Sequence, residues 1–213
     1  VNFKVIDFSE FTSRYRSEEL IGWKFYFISQ MYISSKITSE FATWVDSKIQ
    51  NIALKRKKCL ILDLDNTLWG GVLGEEGING IQIGGDYPGK AFLYFQEALS
   101  ALSKEGIILS VCSKNNEEDV FDAWEQNPFM VLRKKDFVAI RINWNDKASN
   151  IVELSKELNI GLDSMVFIDD NPAERELVKQ TLPMVAVPDF PKQAYMLPQF
   201  FMQLVRDYFE VYE

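Results

Sequence analysis

Short apolar runs alternate with longer amphipathic segments along most of the chain, starting at Lys58. Apolar runs of this length predict buried strands, and apolar positions spaced three to four residues apart predict helices. The alternation, with short connections, predicts an α/β fold in which helices cover both faces of a doubly wound parallel sheet. The predicted strands are Cys59–Leu64, Ile107–Cys112, Asp136–Ile140 and Ser164–Ile168, with Met184–Val187 as a fifth candidate. The predicted helices are Ala91–Glu105, Glu117–Glu125, Lys147–Leu158 and Ala173–Gln180.

The two ends of the chain show different patterns. Residues 1–54 lack clean alternation, so we predict a mostly helical N-terminal extension with an extended piece near Phe25–Ile33. From Ala194 to Glu213, apolar side chains recur at helical spacing and predict a C-terminal helix that packs on the same domain. The predicted boundaries are therefore 1–54 for the extension, 55–190 for the α/β core and 191–213 for the C-terminal helix.

Composition restricts the class of protein and of partner. Of the 213 residues, 47% are hydrophobic and 25% are charged, which is typical of a soluble globular protein. No apolar run approaches the ~20 residues that span a membrane, and no signal-peptide pattern opens the chain, so we expect no membrane partner and a cytoplasmic location. The net charge of −8 argues against a nucleic-acid partner. Two basic patches, Lys55–Lys58 and Arg133–Lys135, are interpreted as solvated surface.

The chain contains no histidine and only two cysteines, Cys59 and Cys112. The absence of histidine excludes Ser-His-Asp triads, Cys-His pairs, phosphohistidine chemistry and histidine-ligated metals. Two cysteines make neither a disulfide framework nor a zinc site. Acid–base chemistry at neutral pH therefore falls to carboxylates, lysine, tyrosine or cysteine, and any metal is expected to be a hard cation bound by oxygen.

The first predicted strand ends in two carboxylates, Asp63 and Asp65, with one residue between them. Ionised groups beside an apolar core are costly unless they have partners. A divalent cation together with a phosphoryl group would supply such partners. Two turn-forming or helix-capping aspartates would give the same pattern, so this pair alone leaves both interpretations open.

The other strand ends favour phosphate chemistry. The second strand ends near Ser113, whose hydroxyl suits phosphate oxygens together with the amides of the following helix. Lys147 opens a helix, and Asp169 and Asp170 follow the fourth strand directly. Because ligands bind at the carboxyl ends of parallel strands, we expect these side chains to act at one edge of the sheet. The order Asp-x-Asp-x-Thr, Ser, Lys, Asp-Asp resembles the four-motif signature of the haloacid-dehalogenase (HAD) superfamily.

This resemblance implies a role for each residue of the four motifs. Asp63 would attack phosphorus and form an aspartyl-phosphate, and Asp65 would act first as general acid and then as general base. Thr67 would steady the nucleophile loop. Ser113 and Lys147 would hold the transferring phosphoryl group and offset its charge.

The same resemblance implies Mg²⁺ as the cofactor. Its ligands would be the Asp63 carboxylate, the backbone carbonyl of Asp65, and the acidic pair Asp169 and Asp170. Asp170 is expected to ligate the ion and Asp169 to act through a water molecule, but which member of the pair binds the ion directly is left open.

The segment Gly84–Lys90 fits the spacing of a nucleotide-binding P-loop. Ala91 stands where a P-loop requires Ser or Thr, and Pro88 interrupts the segment. No convincing buried strand precedes it. We therefore interpret the segment as a loop that leads into the helix Ala91–Glu105.

The intervals available for a cap domain, which many HAD enzymes insert, are short. A glycine-rich stretch, Trp69–Gly77, and one helix separate Asp65 from the second strand, and the interval from Ser113 to Lys147 is also too short. We therefore predict a capless site that is open to solvent and accessible to a macromolecular substrate. The residues expected to contact substrate are Asn66, Trp69, Gly70, Gly71, Lys114 and Asn115.

Four segments, 62–75, 112–116, 142–150 and 167–176, resemble the FkbH-like branch of the HAD superfamily. Several members of this branch serve polyketide assembly lines. The resemblance implies that the chain takes 1,3-bisphosphoglycerate, a small phosphorylated three-carbon substrate. It would load the glyceryl unit onto the phosphopantetheine thiol of an acyl carrier protein and remove the remaining phosphate. A chain that starts with Val1 is compatible with a domain of a larger assembly-line protein.

Glyceryl transfer would require an acyl acceptor and a docking surface. Cys112 borders the phosphate-binding loop and could hold a thioester, but successive side chains of a strand alternate faces and Ser113 follows it. Cys59 lies about 13 Å from Asp63 along the strand, at about 3.3 Å per residue. Both cysteines are therefore better interpreted as core residues. The basic residues that topology places best for docking an acidic carrier are Lys90, Lys114 and Arg175.

Three further functions are kept as hypotheses. A plain capless phosphatase, acting on a small metabolite or a phosphoprotein, would use the same Asp63 and Asp65. A phospho-acceptor module resembling a receiver domain would not need Asp65. A catalytically retired scaffold is disfavoured because every motif is intact.

Overall fold

The chain divides between Lys55 and Arg56 into two compact units, each described here by itself. The structure is a computed structural model that describes residues 6–53 and 56–209. Residues 1–5 and 54 of the predicted extension, Lys55 of the first basic patch and residues 210–213 of the predicted C-terminal helix lie outside the described residues. Among the helices that are described, none combines the length and the apolar character needed to cross a lipid bilayer.

The N-terminal unit is built from helices around a small aromatic core. Phe11, Ile37 and Trp44 are buried at its centre, and Phe41 packs against them. The rings of Phe11 and Phe41 meet edge to face at a centroid distance of 5.3 Å. The helices are α1 (Ser9–Thr12), α2 (Ser17–Leu20), α3 (Trp23–Ser29) and α4 (Thr38–Ala53).

The extended piece predicted near Phe25–Ile33 is wrong, because most of it belongs to helix α3, which spans Trp23–Ser29. The helix ends at Gln30 in the left-handed conformation, with φ +56°. Aromatic residues favour a strand mainly where a neighbouring strand packs beside them. In the described part of this unit, such pairing is limited to an isolated antiparallel bridge between Ile21 and Ile33.

Four parallel strands form the sheet of the second unit: β1 (Cys59–Leu62), β2 (Ile108–Ser113), β3 (Ala139–Ile142) and β4 (Met165–Ile168). Their order is β3-β2-β1-β4. The last residue of β1, Leu62, is aligned with Val111 of β2 and with Ile168 of β4. The predicted parallel sheet is therefore confirmed, and the carboxyl ends of β1, β2 and β4 lie side by side.

The side chains of β1 alternate between two apolar layers, one on each face of the sheet. Leu60 and Leu62 belong to one layer, Cys59 and Ile61 belong to the other, and all four are fully buried. The helices of this unit are α5 (Leu73–Glu76), α6 (Gly89–Lys104), α7 (Glu117–Gln126), α8 (Lys147–Leu158), α9 (Pro172–Thr181) and α10 (Leu197–Leu204). Helices α6, α7 and α10 contribute to the first layer, and α8 and α9 contribute to the second. This is the predicted doubly wound arrangement.

Most predicted elements differ from the structure by one or two residues at an end, and two differ by more. The third strand begins at Ala139 rather than Asp136, because Lys134–Asp136 forms a turn of 3-10 helix. The C-terminal helix α10 is preceded by a 3-10 turn over Ala194–Met196 and continues as a π-helical turn over Val205–Phe209. Both differences concern single helical turns, which are too short to produce a periodic spacing of apolar residues in the sequence.

The fifth strand predicted over Met184–Val187 is wrong as a strand. Only Ala186 pairs with the sheet, through an isolated parallel bridge to Val166 at the edge formed by β4. Pro183 and Pro188 flank the segment. Because proline has no amide hydrogen to donate, the pairing cannot extend far in either direction.

Candidate active site

Asp63 lies at the carboxyl edge of the sheet, directly after β1. Its amide donates a hydrogen bond to the carbonyl of Ile168 at the end of β4 (3.0 Å). The chain then turns, and the amides of Thr67 and Leu68 donate to the carbonyl of Leu64 (3.1 and 2.8 Å). Leu64 and Leu68 in this turn are fully buried, and Asp63 itself is only 5% exposed.

Lys147 is the first residue of α8 and brings a cation to Asp63. The helix start is defined by Asp146, whose Oδ1 accepts a hydrogen bond from the amide of Ser149 (2.8 Å). The Nζ of Lys147 lies 2.9 Å from Oδ1 of Asp63 and also contacts Oδ2 of Asp169. All three charged side chains are buried. One ammonium therefore serves two carboxylates, and the cluster keeps an excess negative charge.

The pKa values of these groups reflect that excess. Burial raises the pKa of Asp63, and the Lys147 ammonium offsets this effect only in part. Burial and the charge of Asp63 raise the pKa of Asp169 to about 6. Burial and the charge of Asp169 raise the pKa of the half-buried Asp170 to about 6. Burial by itself would lower the pKa of Lys147, but Asp63 and Asp169 together hold it above its usual value.

The three aspartates can share one metal ion. Asp63, Asp169 and Asp170 each offer a carboxylate oxygen, and these oxygens lie within 4.8 Å of one another. A set of carboxylate oxygens without sulfur or nitrogen suits a hard divalent cation such as Mg²⁺. A bound cation would relieve the mutual repulsion that raises the pKa values of the acidic pair. The residues present therefore fit the predicted magnesium site.

Asp65 is held by three hydrogen-bond donors. Its Oδ1 accepts from the indole of Trp69 (2.9 Å) and from the amide of Leu73 (3.0 Å). Its Oδ2 accepts from the side-chain amide of Asn115 (2.9 Å). The carboxylate that is predicted to exchange protons therefore has a defined orientation at the edge of the site.

Trp69 and Gly70, two residues predicted to contact substrate, have structural contacts, although Gly70 also lines a second cavity of about 600 Å³. Trp69 is fully buried, so its indole is accessible to Asp65 but not to a ligand. Gly70 is also buried and pairs with Gln82 through two backbone hydrogen bonds (3.0 and 2.8 Å). A Cβ at Gly70 would lie 2.9 Å from the ring of Phe92, which explains the glycine. The sequence showed a glycine-rich loop but not that this loop folds back on residues near Gln82.

Asn66 and Gly71, the other two residues of the predicted rim, form a closed turn. Asn66 is exposed and has φ +52°, and Gly71 has φ +91°. The amide of Gly71 donates to Oδ1 of Asn66 (2.9 Å). Of the two, only Asn66 lines the cavity above Asp63. Glycine at position 71 is explained by its left-handed backbone.

Thr67 and Ser113 connect the motifs to one another. The Thr67 hydroxyl accepts a hydrogen bond from the amide of Asp170 (3.2 Å), which ties the nucleophile loop to the acidic pair. Ser113 ends β2, is almost fully buried and hydrogen-bonds to Asp63. The side chain of Asn115 donates to the Ser113 hydroxyl (3.5 Å) as well as to Asp65. Asn115, predicted to contact substrate, is thus placed behind two reacting groups.

Two of the basic residues predicted to dock a carrier protein have partners within the fold. Lys114 forms an ion pair with Glu174 on α9 at 2.5 Å. Arg175 donates from Nη1 to the carbonyls of Asp169 and Asp170 (2.8 Å each). A role for Arg175 in holding the acidic loop was missed. Its signal in the sequence is an arginine in the first turn of the helix that the acidic pair precedes.

Neither cysteine is available to carry an acyl group. Cys112 is fully buried, its Sγ lies 3.8 Å from the carbonyl oxygen of Lys147, and burial raises its pKa to about 12. Cys59 is also fully buried, beside the Ser110 hydroxyl, and burial raises its pKa to about 11. The candidate catalytic role of Cys112 is therefore not supported, because a thiol must ionise and reach the substrate to react.

The predicted residues meet in an open cavity of about 350 Å³, which we call the catalytic cavity. Residues 66–107 hold only helices α5 and α6, and residues 114–146 hold α7, a 3-10 turn and β3, so neither interval contains a separate cap domain. The predicted residues that line the cavity are Asp63, Asp65, Asn66, Ser113, Lys114, Lys147, Asp169 and Asp170.

A solved structure resembles this chain over most of its length. The N-terminal part of the protein BF1531 from Bacteroides fragilis, which contains a phosphatase domain and was crystallised with Mg, is 40% identical, with a TM-score of 0.73. The match covers 92% of this chain and 53% of that one, so this chain spans about half the length of that relative. No curated protein sequence matches the chain significantly.

A more distant structure shares the fold alone. The HAD domain of the effector protein Lem4 from Legionella pneumophila is 15% identical, with a TM-score of 0.51, over 71% of this chain and 94% of that one. The HAD-like architecture predicted from the four motifs is therefore confirmed. The model of the NLI interacting factor-like phosphatases matches residues 58–195, which include every motif described above. With the site assembled inside that matched region, the chain belongs to the NLI interacting factor-like phosphatase family.

Proposed function

We propose that this chain is a Mg²⁺-dependent phosphatase in which Asp63 accepts the phosphoryl group. The observation that carries the proposal is the contact of 2.9 Å between Oδ1 of Asp63 and Nζ of Lys147, at the floor of an open cavity. A buried carboxylate beside an ammonium is oriented for attack, and the ammonium offsets the charge of an incoming phosphoryl group. Ser113 adds a hydroxyl donor at the same point.

The reaction would proceed in two displacements. In the first, an oxygen of Asp63 bonds to phosphorus, the bond from phosphorus to the leaving oxygen breaks, and Asp65 gives that oxygen a proton. In the second, Asp65 takes a proton from water as the water oxygen attacks phosphorus. The bond from phosphorus to Asp63 breaks, which frees inorganic phosphate and restores the Asp63 carboxylate and the protonated Asp65. The hydrogen bonds from Trp69, Leu73 and Asn115 keep Asp65 in place for both transfers.

Asp63 and Asp170 would hold the Mg²⁺ directly. Asp169 has both oxygens engaged, one by Lys147 and the other by the amide of Asn171 (2.8 Å), so it suits an outer role. Asp170 is half-buried and has no ammonium in contact among the described residues. Bound there, Mg²⁺ would supply positive charge next to the phosphoryl oxygens.

The test of this function is phosphate release from p-nitrophenyl phosphate with Mg²⁺. The Asp63→Asn variant should lose about 1,000-fold or more of the activity, because the amide is not a nucleophile. Asp189→Asn is the matched control, since that carboxylate is exposed and pairs only with Lys179 among the described residues. An Asp63→Asn protein that is folded by circular dichroism and keeps more than about a tenth of the wild-type rate would contradict the proposal.

We also propose glyceryl transfer as a finer function, supported by the FkbH-like resemblance of segments such as 62–75 and 167–176. Because both cysteines are buried, the thiol of the carrier's phosphopantetheine arm would attack the acyl carbon of 1,3-bisphosphoglycerate directly. A thioester bond from sulfur to that carbon would form, the bond from the carbon to the phosphate oxygen would break, and inorganic phosphate would leave with the thiol proton. Asp63 would then remove the remaining phosphate. Plain phosphatase activity on a small phosphometabolite or phosphoprotein fits the same geometry.

Intact mass of the carrier protein separates these two functions. The chain is incubated with Mg²⁺, 1,3-bisphosphoglycerate and a phosphopantetheinylated acyl carrier protein. A glyceryl adduct on the carrier supports transfer. An unmodified carrier, with phosphate still released from p-nitrophenyl phosphate, leaves the chain a plain phosphatase.

A further inference from the structure

A second open cavity of about 600 Å³ lies beside the catalytic cavity. The two cavities share Asn66, Asp170 and Pro172 in their linings. Asn66 and Pro172 are exposed, so they form a solvent-facing ridge between the cavities. Ligand pockets for small molecules have volumes of about 300–1,000 Å³, so the second cavity is large enough to hold an organic group.

Part of the lining of the second cavity, which we call its apolar side, consists of firmly anchored side chains. Phe92 on α6, Phe190 and Leu197 line it, and each is at most 9% exposed. The ring of Phe190 also meets that of Phe200 edge to face at 5.2 Å, which fixes it against the core. Tyr87 completes this side and is 58% exposed, so its ring is available to a ligand.

Two cationic side chains also line the second cavity. Lys192 is exposed, and among the described residues it has neither a hydrogen bond nor an ion pair. Arg175 also lines the cavity and uses Nη1 to hold two backbone carbonyls. The single carboxylate in the lining is Asp170, which the proposed function assigns to the metal. Once that carboxylate is neutralised, the cavity presents positive charge and apolar surface, although the whole chain is acidic.

We infer, on the basis of the proposed phosphatase function, that the second cavity binds the leaving group of the substrate. The phosphoryl group lies over Asp63, and the rest of the molecule crosses the ridge of Asn66 and Pro172. The leaving group has an apolar body that packs on Tyr87 and a second anionic group that pairs with Lys192. The substrate class is therefore a phosphomonoester of a small organic molecule with a further negative charge.

Binding of hydrolytically stable phosphonates tests this inference without relying on catalysis. The probes are benzylphosphonate and two relatives with a carboxylate at the para position, attached directly or through two methylene groups. Their affinities for the full chain with Mg²⁺ are measured by isothermal titration calorimetry. At least one carboxylate probe should bind about three-fold more tightly than benzylphosphonate, the size expected of one exposed ion pair.

Three variants separate the contributions. Lys192→Gln should abolish the advantage of the carboxylate and leave the affinity for benzylphosphonate unchanged. Tyr87→Ala should weaken all probes by a similar factor. Lys104→Gln is the matched control, since Lys104 is an exposed lysine at the end of α6, shortly before β2 begins. It should leave the affinities of all probes unchanged.

The inference is overturned if neither carboxylate probe binds more tightly than benzylphosphonate, or if no probe binds at all. It is also overturned if the advantage survives Lys192→Gln. These outcomes are independent of the proposed function, because phosphate release from p-nitrophenyl phosphate and its loss in Asp63→Asn are measured separately. A chain that releases phosphate but shows no carboxylate advantage keeps the phosphatase function and loses the leaving-group site.

Discussion

Arg175 acts on the site from behind the acidic pair. Its guanidinium donates to the backbone carbonyls of Asp169 and Asp170, so it holds the loop that supplies the metal ligands. We predict that Arg175→Met raises the Mg²⁺ concentration for half-maximal phosphate release about ten-fold, as is typical when a partner of metal ligands is removed. A Mg²⁺ titration of the phosphatase rate measures the shift.

The matched control for this prediction is Arg206→Met. Arg206 is an exposed arginine of the same unit, and its guanidinium lies 3.5 Å from the carboxylate of the neighbouring Asp207. The Arg206→Met variant should have the same Mg²⁺ dependence of phosphate release as the wild type. An Arg175→Met protein with the wild-type Mg²⁺ dependence would show that the two hydrogen bonds are dispensable for positioning the acidic pair.

Trp69 is a second residue whose effect passes through a neighbour. Trp69→Phe keeps most of the buried ring but removes the hydrogen bond to Asp65. We predict a fall in kcat of about ten-fold with little change in KM, because the acid–base group loses one of its donors but the substrate keeps its contacts. Steady-state kinetics with p-nitrophenyl phosphate measure both constants.

Trp124→Phe controls for the cavity that this substitution leaves. Trp124 is also buried, at 2% exposure, but its indole nitrogen has no hydrogen-bond partner in the described structure. Both variants should lose stability, and only Trp69→Phe should lose turnover. Equal losses of kcat in the two variants would assign the effect to packing instead of the hydrogen bond.

The residues of the four motifs could be predicted from sequence because each is a polar or charged group at the end of a strand or in the segment that follows it. Asp63, Ser113 and Asp169 follow apolar runs directly, and the sheet brings such positions together whatever the loops do. The role of Trp69 could not be predicted in this way. It depends on which side of a glycine-rich loop folds inwards, and a buried tryptophan has the same sequence signal as an exposed one.

At the scale of elements, Gln96 fastens three segments of the second unit together. It lies on α6 and is fully buried; its Nε2 donates to the carbonyl of Leu68 (2.8 Å), and its Oε1 accepts from the amides of Val131 and Leu132 (3.1 and 3.0 Å). Gln96→Leu would leave these three backbone groups without that partner. We predict a loss of at least about 3 kcal/mol in the free energy of unfolding, from about 1–3 kcal/mol for each of the three unsatisfied groups.

Urea denaturation measures this loss. Gln180→Leu on α9 is the control, since Gln180 is exposed and pairs only with Glu176 among the described residues. The control should change the free energy of unfolding by less than about 0.5 kcal/mol. A Gln96→Leu protein as stable as this control would mean that water or a rearranged loop replaces the lost bonds.

The segment between α7 and β3 shows why element bounds were harder to predict than elements. Arg133 was interpreted as solvated surface, but its guanidinium donates to the carbonyls of Trp124, Glu125 and Asn127 at the end of α7. Such donors satisfy carbonyls that a helix end leaves free. The spacing of apolar residues that predicts a helix does not depend on such partners. The later start of β3 therefore could not be predicted from the local sequence.

At the scale of the whole molecule, the topology explains why the site was recognisable before the fold was known. β1 lies between β2 and β4, so Asp63 lies between the loops that carry Ser113 and Asp169. Strand order thus converts four separated sequence motifs into one cavity. The second cavity had no such signal, because it is formed where the start of α6 meets the segment from Phe190 to Leu197.

The acidic cluster should also make the stability of the protein depend jointly on pH and Mg²⁺. The pKa of Asp169 and that of Asp170 are each raised from 3.8 to about 6 in the folded state. At a pH between 3.8 and about 6, the folded protein holds protons that the unfolded chain has released. The free energy of unfolding therefore falls as the pH rises from about 4 to about 6, because ionisation of the pair opposes folding. Below about pH 4 both states are protonated, and the effect is absent. Mg²⁺ binds the ionised pair only in the folded state and should offset this loss above pH 6.

Asp170→Asn isolates this effect from the other titrating groups. Without Mg²⁺, the variant should unfold at higher urea than the wild type at pH 7.5, because one opposing charge is gone, and at the same urea at pH 4. With saturating Mg²⁺ at pH 7.5 the order should reverse, since the wild type gains the binding free energy and the variant has lost a ligand. If the variant were less stable than the wild type at pH 7.5 even without Mg²⁺, the Asp170 carboxylate would be stabilising in itself. The excess negative charge would then not be what draws the cation to this edge of the sheet.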